Sequence, residues 1–203
     1  MLSLIRLNIL IFLVGLGIWY SWSVVEFTAP LNTLNWEGSL LYIPHGVRVL
    51  GIVFFGMRVF PALLAAELIG PYLIEPEHYF DEWFIGGTVS IFSVVLAVRL
   101  LEWVNVDNKT SFFKPLNFTN YRFLLLTVIL SALFNAIASN IVVQFFMPEI
   151  TVAPIHILRF FIGDTLGSIA FFLFLTLLFT TLSELKLVNR YNNGNDKVVD
   201  LDN

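Results

Sequence analysis

The sequence contains no cysteine and few charged residues, and both absences narrow what the protein can be. Of its 203 residues, 13% are charged and 58% are hydrophobic, whereas soluble domains have about 25% charged and roughly 45 to 50% apolar residues. A soluble globule of this composition would expose larger apolar patches than monomers tolerate. The lack of cysteine excludes disulfides, thiolate metal sites and cysteine nucleophiles. We therefore expect most of the surface to face the lipid bilayer.

Apolar stretches of about the length needed to cross a bilayer, roughly 20 residues, recur along the chain. Four of them are clear: 7–22, 85–104, 121–147 and 155–185. A fifth, 40–74, is too long for one straight helix, and Gly56, Met57 and Arg58 followed by Pro61 indicate a turn between two short helices. The sequence predicts an all-α fold, a polytopic transmembrane bundle of about six helices with a broken helix pair at 40–74. A re-entrant hairpin is the alternative for that pair.

Lysine and arginine lie at only one set of the predicted helix ends. The connections 23–39, 75–84 and 148–154 contain neither residue, whereas the opposite ends contain all of the flanking ones: Arg6, Arg58, Lys109, Lys114, Arg122, Lys186, Arg190 and Lys197. Because cytoplasmic segments collect these residues, we predict a multi-pass protein of the plasma (inner) membrane with both termini cytoplasmic. Residues 1–187 form the transmembrane domain, and 188–203 a disordered cytoplasmic tail. A cleaved signal peptide is the alternative for the first stretch, but the bulky residues around its cleavage-like spacing favour a retained helix.

Four ionisable side chains lie inside the predicted spans: Arg48, Glu67, Arg159 and Asp164. Each costs about 2.5 to 3.5 kcal/mol at a helix centre on insertion scales, so such groups face a bundle interior or a wet cavity. Two positive and two negative charges could form two buried ion pairs with a purely structural role. We expect Arg159 to pair with Glu67, and Arg48 to pair with Asp164.

The same side chains could instead bind a small molecule. The candidate ligand-binding residues are polar side chains within or beside the spans: His45, Arg48, Glu67, Asn135, His156, Arg159 and Asp164. In the predicted topology the histidines and arginines lie in the outer half, and the two carboxylates lie deeper. This pattern predicts a cavity that opens outward, with a basic mouth and an acidic floor. Gly163 and Gly167 have the GxxxG spacing that lets another helix approach closely.

Other kinds of site have little support in the sequence. The three histidines, His45, His78 and His156, share no local spacing, so we predict no metal site. No nucleophile with an adjacent base is present, so we predict neither a catalytic residue nor a cofactor. The 11 basic residues are scattered, which gives no basic stripe for nucleic acid.

Two stretches, 42–70 and 159–178, resemble the first of the MASE-type membrane-associated sensor domain families of bacteria. The positions that carry the resemblance are short motifs: Pro44 and Gly46, then Gly56, Arg58 and Pro61, then Gly163, Asp164 and Gly167. The resemblance implies a bacterial inner-membrane sensory module, usually fused to a histidine kinase or a cyclic-dinucleotide enzyme. This chain is shorter than the usual family domain, and its tail is too short to fold into an enzyme.

We therefore expect a sensory or ligand-binding membrane module that acts through a separate partner protein. The alternative is a small-molecule transport component, because six short helices in about 200 residues also describe the substrate-binding subunits of vitamin-uptake systems. Residues 4–17 lack the Ala-xxx-Ala pattern that the first helix of such subunits usually has. A structural assembly subunit, with its charges paired, is the third reading.

Overall fold

The computed structural model describes residues 2–28, 38–74, 83–106, 118–146 and 151–184. Within these ranges the chain forms six α-helices: α1 Leu2–Thr28, α2 Pro44–Phe55, α3 Phe60–Ile74, α4 Trp83–Trp103, α5 Phe118–Phe146 and α6 Pro154–Glu184. A 3-10 turn, Gly56–Val59, joins α2 to α3. Five apolar segments are long enough to span a membrane, and α2, the turn and α3 together make up one of them. The prediction of an all-α, multi-pass membrane protein is confirmed.

Helices α2 and α3 fold back on each other at the 3-10 turn. Pro44 is the first residue of α2. At this position a backbone N–H has no hydrogen-bond partner within the helix, so a proline, which lacks the N–H, is tolerated. Gly56 ends α2 with φ +64°, a backbone conformation that side chains with a Cβ rarely adopt. Pro61 lies in the first turn of α3, where proline is again tolerated. In one continuous helix Arg48 and Glu67 would be about 28 Å apart, yet they form an ion pair. The predicted break is therefore confirmed.

Two contacts show that α1 and α3 run in the same direction. Near the start of α1, the Asn8 side-chain amide donates to the carbonyl of Arg58 in the turn, at 3.1 Å. Near the end of α1, Trp19 packs so closely on Gly70 that a Cβ added there would lie 2.7 Å from the indole ring. The turn between α2 and α3 therefore lies beside the start of α1.

Helix α6 runs in the same direction as α2. The Tyr42 N–H, just before α2, donates to the Gly163 carbonyl at 2.9 Å, and Gly46 packs directly on Phe171. The end of α6 thus lies at the same end of the bundle as the start of α1. The opposite half, which contains the end of α1 and the starts of α2 and α6, is called the upper half below.

The short helix α2 occupies the centre of the bundle. It contacts each of the other five helices, and α1, α3, α4, α5 and α6 pack around it in that order. All six residues from Pro44 to Val49 are buried. The outer helices expose large apolar side chains, including Leu13, Leu96 and Leu173. The polar residues of α2 are therefore enclosed by helices whose outer faces suit lipid.

Candidate functional site

Ten side chains of the upper half, most of them buried and polar, form two groups, each of which includes a residue of α2. The arginine group consists of Trp19, Tyr42, Arg48, Glu67 and Ser90. The histidine group consists of His45, Ser131, Asn135, Ser139 and Asp164. His45 and Arg48 are three residues apart, so α2 belongs to both groups.

Arg48 is the centre of the arginine group and is only 3% exposed. Its Nε donates to Glu67 Oε2 at 3.1 Å, and its Nη2 donates to Glu67 Oε1, which makes the pair bidentate. Nη2 also donates to the Tyr42 hydroxyl at 2.6 Å, and Nη1 donates to the Ser90 hydroxyl. The guanidinium carbon lies 4.9 Å from the centre of the Tyr42 ring. Arg48 thus links α2 to α3, to α4 and to the segment before α2.

Glu67 accepts further hydrogen bonds besides those of Arg48. The Tyr42 hydroxyl donates to Oε1 at 3.0 Å, and the Trp19 indole N–H donates to Oε2 at 3.4 Å. Helix α4 packs closely on this carboxylate, since a Cβ added at Gly87 would lie 2.8 Å from Glu67 Cγ. Removing a charged pair from water is offset only when the geometry is good and the remaining lone pairs are bonded. The arginine group meets both conditions.

The histidine group links α2 to α5 and α6. His45 is fully buried, and its Nε2 lies 2.9 Å from the Ser131 hydroxyl of α5. Its other ring nitrogen, Nδ1, lies 3.6 Å from Asp164 Oδ2. The same carboxylate oxygen accepts from Asn135 Nδ2 at 2.6 Å, and the Ser139 hydroxyl donates to Asn135 Oδ1 at 2.8 Å. Asp164 is 2% exposed, so these contacts are shielded from water.

The ion-pair partners predicted from the sequence are wrong. Arg48 pairs with Glu67 instead of Asp164, because the turn after α2 brings α3 back beside it. Asp164 contacts His45 and Asn135. Arg159 is directed toward the carbonyl of Gly38, at 3.4 Å from both Nε and Nη2.

The predicted depth order, with basic residues above acidic ones, is also wrong. Arg48 and Glu67 contact each other, so they lie at the same depth, and so do His45 and Asp164. His156 lies in the first turn of α6, where its Nδ1 accepts from the Ala153 N–H at 3.2 Å. It is about 12 Å along the helix from Asp164. The structure thus places five of the seven candidates in the two groups and leaves His156 and Arg159 outside them.

The two glycines of α6 pack against a non-helical segment, not against another helix as predicted. A Cβ added at Gly163 would lie 1.9 Å from the Ser39 carbonyl oxygen. At Gly167 it would lie 2.2 Å from the Tyr42 carbonyl. Residues 38–43, which lead into α2, fill the space that a helix was expected to occupy. The contacts of Gly163 and Gly167 therefore couple α6 to the start of the central helix.

Sequence reasoning missed several members of the two groups. Tyr42 lies at the very start of the apolar stretch 40–74 and Trp19 resembles an interfacial tryptophan, yet both contact Glu67. Their rings also meet edge to face, with centroids 5.8 Å apart. Ser90 and Ser131 belong to stripes of small residues that indicate helix packing alone. Partners of a buried charge in other helices leave no mark on the local sequence.

The arrangement offers hydrogen-bonding groups and charges rather than a metal site. Within the described ranges, which do not include His78, no three His, Asp or Glu side chains lie close enough to hold a metal ion. The predicted tail, 188–203, and the basic residues Lys109, Lys114 and Lys186 also lie outside the described residues.

Comparisons with known proteins found no matching family model, no similar curated protein and no similar solved structure. The fold and the two polar groups therefore define the class on their own, as a multi-pass helical membrane protein with a polar centre.

Proposed function

We propose that this chain is an integral membrane sensory module that responds to a stimulus in its upper half and signals through a separate partner protein. The observation that carries the proposal is the position of α2. This short helix lies at the centre of the bundle, and Arg48 and His45 connect it to α3, α4, α5 and α6. A change in either polar group would therefore alter contacts to several helices at once.

A buried polar network of this kind is an unusual choice for a protein that only needs to be inserted and stable. Replacing buried ion pairs with apolar residues of similar volume is often neutral or stabilising, and intramembrane charges commonly belong to functional sites. The resemblance of 42–70 and 159–178 to MASE-type sensor domains supports the same reading, since Tyr42, Arg48, Glu67 and Asp164 fall inside those stretches.

The proposed orientation has both termini in the cytoplasm of a bacterial cell and the upper half facing outward. It is supported by the lysines and arginines, which flank only one set of helix ends. The start of α1 and the end of α6 also lie at the same end of the bundle. The output would then leave through the lower end of α6 and through the inner connections.

A photo-reactive residue placed at Thr181, an exposed position near the end of α6, tests the output in native membranes. We expect it to cross-link a specific partner, in an amount that changes when Tyr42→Phe removes one hydroxyl from the arginine group. The same residue at Leu13, on the lipid-facing side of α1, is the control. If the purified chain moves a solute across vesicle membranes and no partner is recovered at Thr181, the sensory proposal is contradicted and the transport alternative is supported.

The absence of cysteine allows a second test, because labelled pairs can be introduced without background. Spin labels at Arg58→Cys and Thr180→Cys measure the distance between the turn that joins α2 to α3 and the end of α6. Labels at Leu96→Cys and Leu133→Cys, on the exposed faces of α4 and α5, serve as the reference pair. We expect Tyr42→Phe to shift the distance distribution of the first pair and not of the second. Identical distributions for the first pair would contradict the proposed coupling.

A further inference from the structure

Two hydrogen-bond acceptors face each other between His45 and Asp164. The Ser131 hydroxyl has one proton, which it directs to the Val128 carbonyl at 3.2 Å. With its proton on that carbonyl, it accepts from His45 Nε2–H, 2.9 Å away, and Nδ1 is then a bare acceptor. Nδ1 has no hydrogen-bond partner among the described residues. It lies 3.6 Å from Asp164 Oδ2, too close for a water molecule between them.

The orientation of Asn135 supports this reading of Asp164. The Ser139 hydroxyl donates to Asn135 Oδ1 at 2.8 Å, and the amide nitrogen of Asn135 points at Asp164 Oδ2, 2.6 Å away. Asp164 is therefore already an acceptor on one side and faces a second acceptor, Nδ1, on the other. An amide N–H against the carboxylate also disfavours a metal cation at this oxygen. One proton between Asp164 and His45 would turn the contact into a hydrogen bond.

The charged groups around Asp164 also favour the binding of one proton. The charged groups that act on Asp164 from neighbouring helices are Arg48 of α2 and Glu67 of α3, and Tyr42 is the third titratable group beside them. Arg48 and Glu67 cancel as an ion pair. The residues that face Asp164 from α5 are uncharged. Arg159 lies more than one turn away on α6 and is directed toward the Gly38 carbonyl. Among the described residues, an ionised Asp164 beside a neutral His45 therefore has no lysine or arginine within ion-pair distance, and one proton removes this buried charge.

We infer that His45 and Asp164 together bind one proton, and that this proton is the stimulus of the sensory module. The second part rests on the proposed function, whereas the first does not. The proton comes from water on the upper side and forms either an N–H bond at Nδ1 or an O–H bond at Oδ2. The net charge of the pair changes from −1 to 0.

Binding the proton would change how α2 contacts α6. A hydrogen bond between Nδ1 and Oδ2 has a length of about 2.7 to 3.2 Å, shorter than the present 3.6 Å. Gain or loss of the proton would therefore draw His45 toward α6 or release it. The segment 38–43, held on Gly163 and Gly167, would move with the start of α2.

Nuclear magnetic resonance of the full chain in lipid nanodiscs tests the proton site directly. With labelled histidine and aspartate, the ring nitrogens of His45 and the carboxyl carbon of Asp164 are followed as pH is lowered. We expect both signals to move together in one step, as coupled groups do. His45→Gln should abolish this shared step and move the Asp164 signal to a different pH. His156→Gln, which replaces a histidine outside the two groups, should leave the step unchanged.

Two results would overturn the inference. One is an Asp164 that stays ionised beside a neutral His45 over the whole pH range in which the protein is folded, which needs no variant to observe. The other is an Asp164 signal that responds to sodium ions at constant pH, because the occupant would then be a metal cation.

The spin-label pair at Arg58→Cys and Thr180→Cys separates this inference from the proposed function. A shared proton step with a pH-dependent distance supports both. A proton step with no change in distance or in cross-linking at Thr181 leaves the proton site standing and refutes the proton as the stimulus. If Tyr42→Phe also changes neither readout, the sensory role is refuted as well. A partner response at constant pH, with no proton bound by His45 and Asp164, refutes the inference alone.

Discussion

Replacing Gly163 with alanine would place a methyl group inside the backbone of the segment that precedes α2. The added Cβ would lie 1.9 Å from the Ser39 carbonyl oxygen, whereas close C···O contacts in proteins are about 3.3 Å. The segment would have to move by about 1.4 Å, the difference between these two distances. That movement would also strain the hydrogen bond from the Tyr42 N–H to the Gly163 carbonyl, now 2.9 Å long.

The expected cost follows from these two effects. Overpacking a tight contact costs about 1 to 3 kcal/mol, and leaving a buried N–H without its partner costs about 1 to 3 kcal/mol. Alanine recovers about 0.5 to 1 kcal/mol in a helix relative to glycine. We therefore expect Gly163→Ala to lower the free energy of unfolding by about 1 to 5 kcal/mol.

Gly86→Ala is the matched control, because no atom lies within 4 Å of a Cβ added at this position in α4. It should leave the free energy of unfolding unchanged or raise it by up to about 1 kcal/mol. Both variants are unfolded by titration with a denaturing detergent, with helicity followed by circular dichroism. Stabilities that agree within about 0.5 kcal/mol would mean that the close contact with Ser39 does not constrain the fold.

Two further predictions concern the ion pair and the topology. Arg48→Leu leaves Glu67 buried without its partner and should lower the free energy of unfolding by about 3 to 5 kcal/mol. The double variant Arg48→Leu with Glu67→Leu should recover much of that loss. Additive losses in the same unfolding titration would argue against the pairing. Reporter fusions at Lys114 and Asn203 should both report a cytoplasmic location, because lysine and arginine collect on that side. An external location at either position would contradict the proposed orientation.

The sequence predicts the turn between α2 and α3 because the chemistry of that turn is local. Gly56 supplies a positive φ, and Pro61 is tolerated in the first turn of the following helix. The position of this break can be read from a few neighbouring residues. Whether the chain then folds back is a different matter, which the contact between Arg48 and Glu67 decides.

The choice of ionic partners could not be predicted, because it depends on helix register and direction. The spacing of His156, Gly163 and Asp164 gives their places around α6, but not which helix lies opposite each of them. The packing of α5 on α6 puts Asn135 against Asp164. Arg159, more than one turn away, meets the Gly38 carbonyl instead.

The amino-acid sequence by itself determined that the protein lies in a membrane, roughly where its helices begin and end, and which polar side chains they carry. Composition and local turn chemistry are enough for these features, since lipid penalises every charge in a span in a similar way. Only the tertiary structure decided that α2 is central, that residues 38–43 cover the glycines of α6, and that His45 faces Asp164. These are contacts between segments far apart in the chain, and their free energy depends on distances that packing sets.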